Sequence, residues 1–223
     1  MLSHRWFQRK SAALVAERTA DPHVDAFGGQ AREVAFAALH QRLDSRPGQP
    51  LPMNPSPLIG HLRRTAEVIP ALTAEVDDEQ ARWRPRPDQW SIIDVVSHLT
   101  DEESRDFRTR VDLTLHRPGE VWPAIDPERW VKEERYIERE LAAEVERFRL
   151  ERMHSLDWLR GLNSPDWTRS HQHPSVGTLT AGDLLASWVA HDLIHVRQVT
   201  RLHREYLETV VAPGTRIGYA GRW

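Results

Sequence analysis

Two histidines stand four residues apart in the stretch WVAHDLIHVRQV, Trp188 to Val199, and both fall where an apolar side chain is expected. At helical spacing Leu184, Trp188, His191, His195, Val199, Leu202 and Tyr206 make one stripe. Residues four apart on a helix are neighbours, with Cβ atoms roughly 5–6 Å apart. Two imidazoles so placed can chelate one metal ion, or can be core histidines satisfied by hydrogen bonds. The rest of the chain has to decide between them.

Four helical segments position these residues. The first spans Leu58 to Val76, with Leu58, Leu62, Thr65, Ile69, Leu72 and Val76 on one side and a kink expected at Pro70. The second begins at Ser91, an N-cap with Asp94 at N3 in a capping-box pattern, and runs to about Leu115. The third runs from about Lys132 to Leu162 on a stripe of Ile137, Leu141, Val145, Phe148, Leu156 and Leu159. The fourth opens at TLTAGDLL, with Thr180 capping and Asp183 at N3. No strand pattern competes with these, so the expected fold class is all-α, a four-helix bundle. The connection HRPGEVWPAIDPERW, between the second and third helices, is long enough to run the length of the bundle. That favours up-down-down-up order over up-down-up-down, and makes the second and fourth helices antiparallel.

Antiparallel pairing bears on His98, seven residues after the N-cap and so roughly 10 Å into the second helix. His191 and His195 lie roughly 18–24 Å from the end of the fourth helix if that helix ends near Leu207. Modestly offset ends bring the three imidazoles to similar height. Three imidazoles from two helices, with a fourth position open to water, match a catalytic zinc-type site, and nickel or iron would accept the same ligands. Asp94, one turn before His98, and Glu102, one turn after it, could orient an imidazole or act as general base beside the open position. Asp94 already has a capping role, and Glu102 could be a solvated charge within TDEESRD. Asp192 follows His191 as the acid does in the HExxH motif of zincins, but at 100° round the helix it is expected to face a neighbouring helix or water. Arg152 lies on the apolar stripe of the third helix, where a guanidinium must find an anion, either a structural carboxylate or a substrate group. His173, in the loop before the fourth helix, is the further histidine of interest. Trp83, Trp90, Trp130, Trp158, Trp167 and Trp188 read as core and helix-end packing.

The 223 residues contain no cysteine, which removes disulfides, thiolate metal sites and cysteine nucleophiles. A formal net charge of -3 gives no sign of a nucleic-acid groove or an anionic membrane surface. Lys10 and Lys132 are the only lysines, an arginine bias that reads as codon usage. No apolar run approaches the roughly 18–20 residues of a transmembrane helix, and SAALVA is too short and too closely flanked by charge for a signal-peptide core. The chain therefore reads as soluble and cytoplasmic. Residues 1–52 read as an N-terminal extension, with one short helix possible in AREVAFAALHQRL before the proline-rich DSRPGQPLPMNPSP. Met53 stands directly before the first strong helix and could be the true start of translation, in which case residues 1–52 add little to stability. Residues 53–210 form the expected bundle, and 211–223, with APGTRIGYAGRW, an irregular tail.

The segment RPRPDQWSIIDVVSHLTDEE, followed later by LRGLNSPDWTRSHQHPSVGTLTAGDLLASWVAHDLIHVRQV, resembles the DinB/YfiT-like superfamily of metal-binding four-helix bundles. The likeness covers roughly residues 55–207 in helix order, in the tryptophan-serine start of the second helix, and in a single histidine followed by a late HxxxH. The resemblance implies that His98, His191 and His195 bind one divalent metal within an up-down-down-up bundle. It also implies a metal-dependent enzyme acting on a small molecule, most closely a thiol-dependent S-transferase or a related transferase or hydrolase. Characterised members of that superfamily include S-transferases and a maleylpyruvate isomerase that use a low-molecular-weight thiol as cosubstrate. The competing readings are a zincin-like hydrolase built on HDLIH and a non-catalytic bundle that binds a metal or small ligand. The expected partner is a small-molecule substrate, with no nucleic acid and no membrane, and a homodimer is left open.

Overall fold

The computed structural model describes residues 53–174 and 177–221, and the two histidine-bearing helices start at the caps that the sequence marks. Ser91 Oγ accepts from the Asp94 amide while Asp94 Oδ2 accepts from the Ser91 amide at 2.9 Å, a complete capping box. Thr180 and Asp183 repeat the arrangement. Each box satisfies amides that a bare helix start would leave without partners.

The order of elements is α1 (Ser56–Thr73), α2 (Asp78–Arg82), α3 (Ile92–Glu102), a π turn (Glu103–Phe107), α4 (Arg108–His116), α5 (Pro127–Glu133), a 3-10 turn (Tyr136–Glu138), α6 (Leu141–Gly161), strands β1 (Ser170–His173) and β2 (Gly177–Thr180), and α7 (Ala181–Tyr206). The π turn joins α3 to α4 in one long rod, so four rods make the bundle. The bonds between rods give their directions. His203 Nε2, late in α7, donates to Leu72 O, late in α1, while Arg152 links Leu62 and Asp192 earlier in both, so α1 and α7 run parallel. Glu103 accepts from Trp188 and His98 lies against His191, so α3 and α7 are antiparallel. Thr100 reaches Glu144 and Arg108 reaches Ser155, so the rod of α3 and α4 runs parallel to α6. The order is up-down-down-up, as expected from the connection lengths. The crossover returns along the outside of α3: Glu134 pairs with Arg105, Tyr136 bonds Asp101, and Arg82 donates to Ile137 O and Arg139 O.

The third helix differs from its sequence reading. Instead of starting near Lys132, it starts at Leu141, because Arg135 adopts left-handed backbone at φ 51° and breaks the run after α5. That turn lets Tyr136 bury completely and give its hydroxyl to Asp101, a tertiary contact that overrides good local helix propensity. A strand pair is also present where none was expected. β1 and β2 pair antiparallel with Ser170 opposite Thr180 and His173 opposite Gly177. SHQH and GTLT are too short for a period-two pattern to stand out. Past α7 the chain adds a π turn (Leu207–Val211), almost all of it within the range read as bundle, and a 3-10 turn (Ile217–Ala220) within the expected tail. The expectations for residues 1–52, including the AREVAFAALHQRL helix, lie outside the described residues.

All four rods meet in an apolar cluster of Ile69, Ile92, Val95, Val96, Leu99, Phe148, Val199 and Leu202. Every residue of α3 is buried, although Asp94, Ser97, His98, Thr100, Asp101 and Glu102 are polar. Buried polar groups are kept only where they are paired or functional, so the polar content of this central helix points to the site. Among the described residues, no helix is long and apolar enough to cross a membrane.

Candidate metal centre

Because α3 and α7 are antiparallel, His98 meets His191 and His195 across their interface. His191 Nε2 lies 3.3 Å from His98 Nε2 and 3.1 Å from His195 Nε2. One ligand atom from each of the three residues lies within 4.8 Å of the others, and they form the candidate metal-binding group among the described residues. His98 and His195 are fully buried, while the His191 side chain keeps 18% exposure. His195 Nδ1 donates to Gln198 Oε1 at 2.8 Å, which fixes the tautomer and leaves Nε2 with a lone pair facing the other two rings.

Glu102 completes the cluster. Its Oε2 lies 3.2 Å from His191 Nε2 and its Oε1 3.6 Å from His98 Nδ1, and it is buried. The sequence left this carboxylate between a base and a solvated charge, and the fold turns it inward. Trp90 packs its ring 4.8 Å from His98 and nearly parallel to His195, and Phe107 packs 5.1 Å from His191. Trp90 also lines an open cleft of about 530 Å³ together with Arg84, Lys132, Arg135 and Ile137.

The donor set fits a divalent ion. Tetrahedral ligands at roughly 2.0–2.1 Å from zinc lie about 3.3–3.4 Å from one another, close to both Nε2 separations here. Protons serve the arrangement poorly. One hydrogen on His191 Nε2 would have to serve two imidazole nitrogens and a carboxylate oxygen at once, whereas a cation shared by the three Nε2 lone pairs would serve all three rings, with Glu102 beside it.

Other residues singled out in the sequence fall elsewhere. Asp94 is taken up by its cap and by Arg84, whose Nη2 lies 2.7 Å from Oδ2, so its buried carboxylate is a structural group. Arg152 does not face a substrate. Its guanidinium is fully buried and all five of its donors are directed at Glu103, Asp192 and Leu62 O, so the anion it finds is structural. Asp192, bound there, is turned away from the place that the acid of a zincin motif would take. His173 stays outside the three-histidine cluster, beside Trp122 on β1, where burial and then Arg110 and His171 hold its imidazole below the usual range. Gln198 carried a usable signal, a polar residue three positions after His195 on the same face. Glu103, Trp90 and Phe107 carried none beyond adjacency to the helix ends.

The π turn also buries Asp106 against Arg110, with Oδ1 and Nε 2.7 Å apart. Burial pushes this carboxyl up to about 6, against the opposing pull of Arg110. A carboxyl raised in the folded state stabilises the fold when protonated and loses that contribution as pH rises through the folded value. Stability is therefore expected to fall by about 2–3 kcal/mol between pH 4 and pH 6 on account of this group. Asp106→Asn should remove that slope in urea melts across the same range, and an unchanged slope would assign it to another group.

Comparison with known proteins agrees with this fold. The chain is 24% identical over 146 residues to a protein of Oceanobacillus iheyensis named as a candidate metal-dependent hydrolase, spanning 65% of this chain and 83% of that one. YfiT from Bacillus subtilis, described as a probable metal-dependent hydrolase with an unusual four-helix bundle topology, superposes with a TM-score of 0.62. The two are 19% identical over 70% of this chain and 91% of that one, which is a likeness of fold. A model of the DinB superfamily matches residues 61–199, a span that runs from α1 into α7 and includes all three histidines, and the chain belongs to that superfamily.

Proposed function

We propose that the chain is a metal-dependent hydrolase of small molecules, in which His98, His191 and His195 hold one divalent ion and Glu102 is the general base beside it. The observation that carries this reading is the buried Glu102 carboxylate, 3.2 Å from His191 Nε2. A buried carboxylate in that position is in reach of any water held between the three imidazoles, where a general base would act. When bound, the metal supplies a Lewis acid and makes water a stronger acid at neutral pH. Glu102 takes the proton of the attacking water and delivers it to the leaving group. Gln198 holds His195 in the ligand tautomer, and Trp90 and Phe107 exclude bulk water from the imidazoles. The partly exposed His191 marks the side from which substrate arrives.

The relatives named as metal-dependent hydrolases support water as the nucleophile. The S-transfer implied by the sequence resemblance would use Glu102 on a thiol proton instead. Protein prepared without a histidine tag and loaded with zinc, nickel or iron(II) separates the two. Turnover of an ester and amide panel in plain buffer is expected. Turnover of electrophiles only with consumption of a low-molecular-weight thiol would make the chain a transferase. Metal binding with neither reaction would make it a non-catalytic metal-binding bundle.

A further inference from the structure

Arg152 leaves α6 and touches the other three rods of the bundle. Its Nη1 donates to Leu62 O of α1 at 3.0 Å and to Asp192 Oδ2 of α7 at 2.6 Å, and Nη2 donates to Asp192 Oδ1 at 2.9 Å. Its Nε donates to Glu103 Oε1, on the π turn, at 2.7 Å. Glu103 accepts in turn from Trp188 Nε1 of α7 at 2.9 Å and from Ser155 Oγ of α6 at 2.7 Å. The three charged side chains have at most 1% exposure.

Stability alone does not account for such a cluster, because apolar residues of similar volume often hold a core as well or better than a buried ion network. What ionic bonds add is a single register, since sliding one rod breaks several directional bonds at once. Both carboxylates are the immediate chain neighbours of groups in the metal centre: Glu103 follows Glu102, and Asp192 follows His191. A slide of α7 by one residue, about 1.5 Å, would break the paired bonds to Asp192 and draw His191 away from His98. A metal centre tolerates errors of only about 0.2 Å in its ligand distances.

We propose that Arg152 is a positioning residue for the metal centre, which through Glu103 and Asp192 sets the register of α7 against α3 at which the three Nε2 atoms converge. The proposal rests on the metal-binding reading given above. Zinc titration by calorimetry and the visible spectrum of bound cobalt(II) test it on the full chain without a histidine tag. Two variants are compared with wild type. Arg152→Lys keeps the charge but cannot fork between two carboxylates. Arg152→Met/Glu103→Gln/Asp192→Leu removes the ionic bridge while a glutamine still serves Trp188 and Ser155.

Both variants are expected to bind zinc about 10–100-fold more weakly, as loss of groups that orient ligands does elsewhere, and to show altered cobalt bands. A variant that melts cooperatively, binds zinc within about threefold of wild type and keeps the wild-type cobalt spectrum would overturn the proposal, since a packing role alone moves the melting temperature and not these readings. If the triple variant does not melt cooperatively, Arg152→Lys decides by the same two readings. Wild-type protein that binds neither metal would overturn the metal-binding reading and this inference with it, an outcome visible before any variant is compared.

Discussion

Replacing Glu102 with glutamine is expected to lower turnover by about 10²–10⁴-fold while the protein still takes up its metal. The glutamine matches the glutamate in shape and keeps an acceptor oxygen near His191, so packing within the buried site should persist. What it loses is the ability to take a proton from the nucleophile. The three imidazoles remain, and metal content should stay near one ion per chain. Turnover and metal content measured on the same preparation check this. Loss of metal together with activity would make Glu102 a ligand. Unchanged turnover would remove it from the mechanism.

The second large effect concerns stability. Arg152→Met as a single change is expected to cost about 3–5 kcal/mol, because it leaves Glu103 and Asp192 buried without a counter-charge. The Glu103 carboxyl is already raised by burial and by Asp192, and Arg152 is what draws it down. Without the guanidinium it rises further, so the penalty is largest when the carboxyl is ionised and shrinks as it protonates. The variant should therefore lie furthest below wild type near pH 8 and recover part of the difference by pH 5. Urea melts of both proteins at the two values measure this. A loss under about 1 kcal/mol, or one indifferent to pH, would mean that the cluster carries little net charge in the folded protein.

Ser91 and the length of the fourth helix made the site legible in the sequence. The Ser91 box fixes where the second helix begins, so the height of His98 followed from counting forward from it, and those of His191 and His195 from counting back from the expected end of the antiparallel fourth helix near Leu207. Arg152 was legible as an anomaly, a guanidinium on an apolar stripe, but its partners were not. Glu103 belongs to the π turn, where i to i+5 bonding breaks the count of 3.6 residues per turn, and no residue type in ESRDF announces that change. The break at Arg135 was equally silent. KEERYIERE is made mostly of good helix formers, and the cause lies in a contact with Asp101, distant in the chain. Gln198 was legible only through its spacing, three positions after His195 on the same face, and its bond to the His195 ring came with the fold.

The most direct measurement is the metal content and melting temperature of the full chain prepared without a histidine tag, alongside His98→Ala, His191→Ala and His195→Ala. The account predicts about one divalent ion per chain in wild type and sharply reduced occupancy in each variant. Added zinc should raise the wild-type melting temperature at pH 7.5, as binding to the folded state requires, and much less at pH 5.5, where protonated imidazole cannot coordinate. Equal metal content in wild type and all three variants, with a melting temperature indifferent to zinc and to chelator at both pH values, would contradict the account and return the three histidines to the core.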